Sequence, residues 1–262
     1  MIARLVRAQR PERNLPYLPQ LDEDRIAALF GLDPAGYRAL CQGFDDQARD
    51  AAAELLADGA FAARVDRLPF RPGQRIAAVG ESTTADRLSW FEILRHVLTL
   101  RRPADDLGWE NLSLSGCTST QALTQLPALA FRRPDWVFCM LGGNDVQRLA
   151  GGSTRLVSPT ETARNLGTLR DLAAGAANWV WLTPSAVDEE RIRSYPHFQR
   201  AGLSWANADL DEVAAFLAEQ PESMVDTRPA TRPAEAHQED GLHLTLAGQR
   251  AVAAAVVEAL TD

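Results

Sequence analysis

From Gly73 onward the chain alternates short apolar runs with amphipathic segments of helical period, and this alternation limits the fold more than any other feature. The runs cover residues 75–80, 111–114, 135–141, 178–183 and 223–226. Each suits a buried strand, and the stretches between them can hold crossover helices. Parallel strands need such crossovers, whose helices cover both faces of the sheet. The pattern therefore predicts an α/β chain with five parallel strands in a three-layer α/β/α sandwich.

Helix boundaries can be read in places. Ser158-Pro159-Thr160-Glu161 offers an N-cap serine, proline at the first helical position and glutamate at the third, which predicts a helix from 159 to about 175. Leu88, Phe91, Leu94 and Leu98 form one apolar stripe after the first strand, and an Ala- and Val-rich helix is expected over 246–260.

Residues 21–70 follow a helical pattern, with Gly31, Pro34, Gly43 and Gly59 dividing it into about three short helices and no β-rich stretch. The organisation expected is a helical N-terminal extension over 1–72 and an α/β domain over 73–262. Ile26, Leu29, Phe30, Leu40, Leu55, Leu56 and Phe61 are too few for an independent core in so short a stretch. They are expected to dock on the α/β domain or on a second copy, making a homo-oligomer through these helices one of the two options. Arg4, Arg7, Arg10 and Arg13 recur every three residues, which fits an anionic contact or, more simply, a solvated tail.

Composition removes several kinds of function. A formal charge of −8 argues against a phosphate-neutralising surface, so nucleic acid is not an expected partner. All 27 basic residues are arginine, which excludes Schiff-base chemistry, a Ser-Lys dyad and a phosphate-loop lysine. The three cysteines, Cys41, Cys117 and Cys139, show no C-x-x-C spacing and suggest neither a disulfide framework nor a zinc site. Cys139 lies in an apolar run and reads as core. Cys117 reads as packing, with a redox or nucleophilic role as the alternative. No leader-like apolar stretch follows the N-terminus and no run approaches a membrane span, so a cytoplasmic protein without stable membrane insertion is expected.

Four short segments then stand where strands end or helices begin: Gly80-Glu81-Ser82, Ser115-Gly116-Cys117-Thr118, Gly142-Gly143-Asn144-Asp145 and Asp240-Gly241-Leu242-His243. Ligands of parallel α/β sheets bind at the carboxyl ends of the strands, where helix N-termini offer free N–H groups. Ser82 falls on the first such turn, as a candidate nucleophile or simply a helix cap. Gly116 can bring its N–H close to a ligand, and the Asn144 amide is a neutral donor that does not compete as a base. Asp145 reads as a loop-fixing residue. Asp240 and His243, separated by two residues in a glycine-containing turn, allow a carboxylate to set the tautomer of an imidazole. Glu239 is a second candidate acid; His96, His197 and His237 read as surface or structural residues.

In order and wording these segments resemble the SGNH (GDSL-type) hydrolase family, especially its lysophospholipase- and thioesterase-like bacterial esterases. The resemblance covers roughly residues 75–262 and is closest in Asn-x-Ser-x-Ser-Gly at 111–116 and in the Pro-x-Trp-Val strand leading to Gly142-Gly143-Asn144-Asp145. It implies the flavodoxin-like SGNH fold, Ser82 as nucleophile, Asp240 and His243 completing the triad, and the Ser82 and Gly116 N–H groups with the Asn144 amide as the oxyanion hole. No metal or organic cofactor is implied. The family usually has Asp where Glu81 stands and often Asp at Cys117, so loop geometry and substrate preference are open. The reaction implied is hydrolysis of a small-molecule carboxylic ester or thioester through an acyl-enzyme, with activity rising over an imidazole titration, roughly pH 5 to 8. An acyltransferase on the same site and a catalytically silent binding module are the alternatives. The extension supplies none of the five site positions and is expected to be dispensable for chemistry.

Overall fold

The structure, a computed structural model, describes residues 1–14, 21–173 and 177–262. Five strands, β1 (Arg75–Gly80), β2 (Gly108–Asn111), β3 (Trp136–Met140), β4 (Asn178–Leu182) and β5 (Ser223–Val225), form one sheet in the order β2-β1-β3-β4-β5. Every neighbouring pair is parallel. From β1 the chain moves outward to β2 and then returns past β1 to β3. The order therefore reverses between β1 and β3, where such sheets open a crevice.

Side chains alternate across the sheet as the pleat requires. Ile76, Ala78, Phe138, Met140, Val180 and Leu182 face one core. Ala77, Val79, Val137, Cys139, Trp179 and Trp181 face the other. The second core is closed by helices Leu126–Arg132, Pro159–Ala173 and Asn207–Ala218 through Leu129, Leu166, Leu169, Leu210, Val213 and Leu217. Both faces are covered, which is why the strands read as continuous apolar runs.

The N-terminal helices are α1 (Ile2–Ala8), α2 (Pro11–Asn14), α3 (Glu23–Leu29), α4 (Pro34–Leu56) and α5 (Gly59–Arg67). The segment after β1 carries α6 (Ser82–Ala85) and α7 (Trp90–Arg101). Ala48, Ala51 and Ala52 of α4, with Phe61 and Val65 of α5, share the first core with Phe91, Leu94 and Leu98 of α7. Three small side chains on one face of α4 let the two helices approach closely. Leu29, by contrast, is 62% exposed.

Three expectations need correction. Gly43 does not end a helix: α4 runs through it, because the buried alanine face outweighs the ~1 kcal/mol cost of one helical glycine. The second strand is displaced toward its N-terminus, ending at Asn111 where 114 was expected. Residues 112–114 still run beside β1, with the Leu112 and Leu114 N–H groups donating to the Ala78 and Gly80 carbonyls, but the Asn111 side chain accepts from Ser113 N–H and turns the chain. The arginines at 4, 7, 10 and 13 do not form a solvated tail. They sit on α1 and α2 and in the link between them, and the Arg7, Arg10 and Arg13 side chains are largely buried against the α/β layers. The 159 helix starts as expected, with Ser158 Oγ accepting from Glu161 N–H, and is described to Ala173. Its expected end near 175 lies outside the described residues.

Candidate active site

Ser82 opens α6 at the carboxyl end of β1, so its N–H has no carbonyl four residues back inside the helix to bind. Its side chain is partly exposed, and among the described residues its Oγ makes no hydrogen bond. The floor beneath it is held by long-range contacts. Asn111 Nδ2 donates to the Thr84 carbonyl (2.8 Å), and Gln249 Nε2 donates to the Thr83 carbonyl (2.9 Å).

Glu81, just before the serine, is buried and points across to the loop after β3. Its Oε2 accepts from the Asn144 backbone N–H (3.0 Å) and from Asn144 Nδ2 (3.1 Å). A side chain at Gly143 would collide with Glu81 Oε1, so the second glycine of the Gly-Gly pair is there for close approach. Burial, reinforced by the charge of Asp145, raises the Glu81 carboxyl to about 8 against the pull of the Asn144 and Gly143 N–H groups. Asn144 Nδ2 also donates to the Cys117 carbonyl (3.1 Å), so both amide hydrogens are engaged. That contact ties Asn144 to the turn of Gly116, whose φ of +77° is one that favours glycine. Asp145 fixes the loop as expected, its buried carboxylate accepting from Ser119 N–H (2.7 Å) and Thr162 Oγ1 (2.8 Å).

Asp240 and His243 are in direct contact. His243 Nδ1 lies 2.9 Å from Asp240 Oδ2, while Asp240 Oδ1 accepts the backbone N–H groups of Leu242 (3.0 Å) and His243 (2.9 Å). Burial favours the neutral carboxyl. The hydrogen bond and charge of His243, with these two backbone donors, outweigh it and hold Asp240 at about 2. An ionised carboxylate can only accept, so Nδ1 carries the proton and the neutral ring offers Nε2 as the acceptor. A fourth donor was not foreseen: Arg4 Nη2, from α1, also lies 2.9 Å from Asp240 Oδ2.

A narrow cleft opens beside these groups, lined by Ser82, Asn144 and Gly143 on one side and by Pro184, Val187, Trp205, Leu210 and Leu242 on the other. Ser82 and Asn144 thus border one space, and Leu242 brings the Asp240–His243 turn to its edge. Gly116 joins the group through Cys117, and Ser82 Oγ and His243 are not hydrogen-bonded to each other. His96 and His237 are buried, as structural histidines would be.

The GDSL-like Lipase/Acylhydrolase family model matches residues 78–251, a stretch that runs from β1 through all four segments into the last helix. The chain belongs to this family. As a GDSL-type acylhydrolase it is an ester hydrolase, and solved structures share its fold. One is an alpha/beta hydrolase enzyme from the metagenome of Lake Arreo, Spain, at 22% identity and TM-score 0.57, covering 73% of this chain and 96% of that one. An acetylxylan esterase from Geobacillus stearothermophilus aligns at 18% identity and TM-score 0.57 over 73% of this chain and 96% of its own. The lipase/acylhydrolase from Enterococcus faecalis aligns at 19% and 0.57 over 71% and 94%. Comparison with curated protein sequences finds no match.

Within this acylhydrolase, sequence reasoning missed the reach of Glu81 to Asn144, whose loop Trp205 also braces. The indole Nε1 donates to the Gly143 carbonyl (3.0 Å), bracing the Asn144 loop from the cleft side. Burial, then the nearby Glu81 and Asp145 charges, push the Cys117 thiol up to about 12, away from the thiolate form. Among the described residues no helix is long and apolar enough to cross a membrane.

Proposed function

We propose that this acylhydrolase cleaves short-chain carboxylic esters or thioesters through an acyl-enzyme on Ser82. The supporting observation is the Asp240–His243 pair. A buried carboxylate kept ionised near neutral pH fixes Nδ1–H and leaves Nε2 as a general base. In this reading His243 takes the Ser82 proton as Oγ attacks the acyl carbon and returns it to the leaving alcohol or thiol, and water then repeats the cycle on the acyl-enzyme. Negative charge on the carbonyl oxygen is received by the Ser82 and Gly116 N–H groups and by Asn144, whose amide exchanges its Cys117 carbonyl for the oxyanion.

The short-chain preference follows from the cleft. It is narrow, and Trp205, Leu210 and Leu242 wall it, leaving little room for a long acyl chain. Across p-nitrophenyl esters from acetate to palmitate, kcat/KM should be highest for the shortest chains; a maximum at palmitate overturns the chain-length reading alone. Ser82→Ala should abolish turnover and fluorophosphonate labelling while leaving thermal unfolding near that of the parent. Substantial turnover by a folded, contaminant-free variant would remove Ser82 from its role.

A further inference from the structure

The N-terminal arm, residues 1–14, holds chain segments next to Ser82, Gly116 and His243. Arg7 makes a two-pronged contact with Asp86, at the end of the short helix that Ser82 begins, with Nε and Nη2 at 2.7–3.0 Å from the carboxylate. The same guanidinium donates to the carbonyl of Leu244, the residue after His243 (3.2 Å). Ser115, preceding Gly116, donates its hydroxyl to the Ala8 carbonyl. Arg87 returns the contact, its backbone N–H donating to the Arg7 carbonyl (3.1 Å) and its Nε to the Val6 carbonyl (2.9 Å). Val6 of the arm is fully buried, in a cluster with Ile26, Ala27 and Tyr37.

Arg4 stands one helical turn before Arg7, so the same face of α1 that grips Asp86 presents a second guanidinium to Asp240. Arg4 Nη2 and His243 Nδ1 meet the same oxygen, Oδ2, each at 2.9 Å. The Asp240 side chain is 2% exposed, while that of Arg4 is 52% exposed. A half-solvated ion pair adds little to stability. Its geometric effect is larger: with Oδ1 held by two backbone N–H groups and Oδ2 shared between guanidinium and imidazole, the carboxylate cannot rotate away from Nδ1.

We propose that Arg4 is a positioning residue of the active site, acting through Asp240 to hold the His243 ring in its working orientation, and that the N-terminal arm is a component of the catalytic apparatus. The proposal rests on the triad reading above. It reverses the expectation that the extension is dispensable for chemistry.

The test uses the full chain with Arg4→Gln and Arg4→Lys, assayed for kcat, KM and the rate of covalent labelling by a fluorophosphonate. Arg4→Gln should lower kcat and the labelling rate together, on the order of tenfold, at unchanged KM, since small misplacements of a catalytic group act on rate. Arg4→Lys should recover part of the loss, because the charge returns without the planar fork. In an Asp240→Asn background, Arg4→Gln should cost nothing further, as expected of a residue acting through Asp240. Equal loss in both backgrounds, a change confined to KM, or parental rates in Arg4→Gln would each overturn the proposal while leaving the serine-hydrolase reading in place. Failure of the parent itself to label at Ser82 would overturn both.

Discussion

Glu81 and Asp240 are both buried carboxyls at the same end of the sheet, and they are displaced in opposite directions, Glu81 up to about 8 and Asp240 down to about 2. Burial pushes each toward the neutral form. What separates them is the company each keeps. Asp240 meets an imidazole and two backbone N–H groups, with a guanidinium on the same oxygen as the imidazole. Glu81 meets only the amide donors of the Asn144 loop and lies near the charge of Asp145. Around Glu81 the amide dipoles do not repay the loss of water, whereas at Asp240 the chargeable His243, added to the backbone donors, does. The site therefore sets a carboxyl held low beside His243 against one raised to about 8 beneath the Asn144 loop.

The largest test of this contrast is Asp240→Asn. The amide keeps the shape but removes the charge and invites the wrong His243 tautomer, so kcat should fall by up to ~10⁴-fold with the fold intact. Loss below tenfold would mean that Asp240 is no more specialised than Glu81. Linkage gives the same carboxylate a stability role whose sign follows from its lowered value: the contribution, roughly 2 kcal/mol, is present above its ordinary 3.8 and lost as pH falls through 2.

Asn144→Ala probes the other side. Asn144 is both the partner that fixes Glu81 and the proposed oxyanion donor, and removing such a donor typically lowers kcat ~10²- to 10³-fold with little effect on KM. A change seen only in KM would make Asn144 a substrate-binding residue and leave the oxyanion hole to backbone N–H groups.

The two carboxyls also differ in how well the sequence announces them. The Asp240–His243 contact spans three residues within one turn, so spacing alone brings acid and imidazole together. The sheet is legible for the same reason, since each strand and its helix are contiguous stretches whose periods change at the boundary. The misplacement of β2 is equally physical: residues 108–111 include Gly108, Glu110 and Asn111, and at the sheet edge polar side chains are tolerated, so the apolar signal begins after the ladder has started. Glu81 and Asn144 are 63 residues apart, and Arg4 and Asp240 are 236 apart. No local pattern encodes such pairings. Gly143 carries the one trace of the first, as a second glycine needed only because Glu81 passes over it. The three-residue arginine period carries the trace of the second, and it reads the same whether the helix face meets protein or water.

The smallest effect on activity is expected from Glu81→Gln, and it bears most directly on the contrast. A carboxyl raised from its ordinary 4.5 to about 8 holds its proton in the folded chain and releases it in the unfolded one between those values. The unfolded state then binds fewer protons, so this group's contribution to stability is fully present below pH 4.5 and is lost as pH rises through 8, with a slope of up to about 1.4 kcal/mol per pH unit. Glutamine keeps the acceptor oxygen for the Asn144 N–H and cannot ionise. Urea denaturation at pH 5.5 and pH 8 should show the parent losing stability across this interval and Glu81→Gln losing distinctly less, with kcat at pH 6 changing little. If parent and variant instead show the same slope, Glu81 is ionised throughout, the Asn144 loop compensates its charge, and the two carboxyls of the site are of one kind.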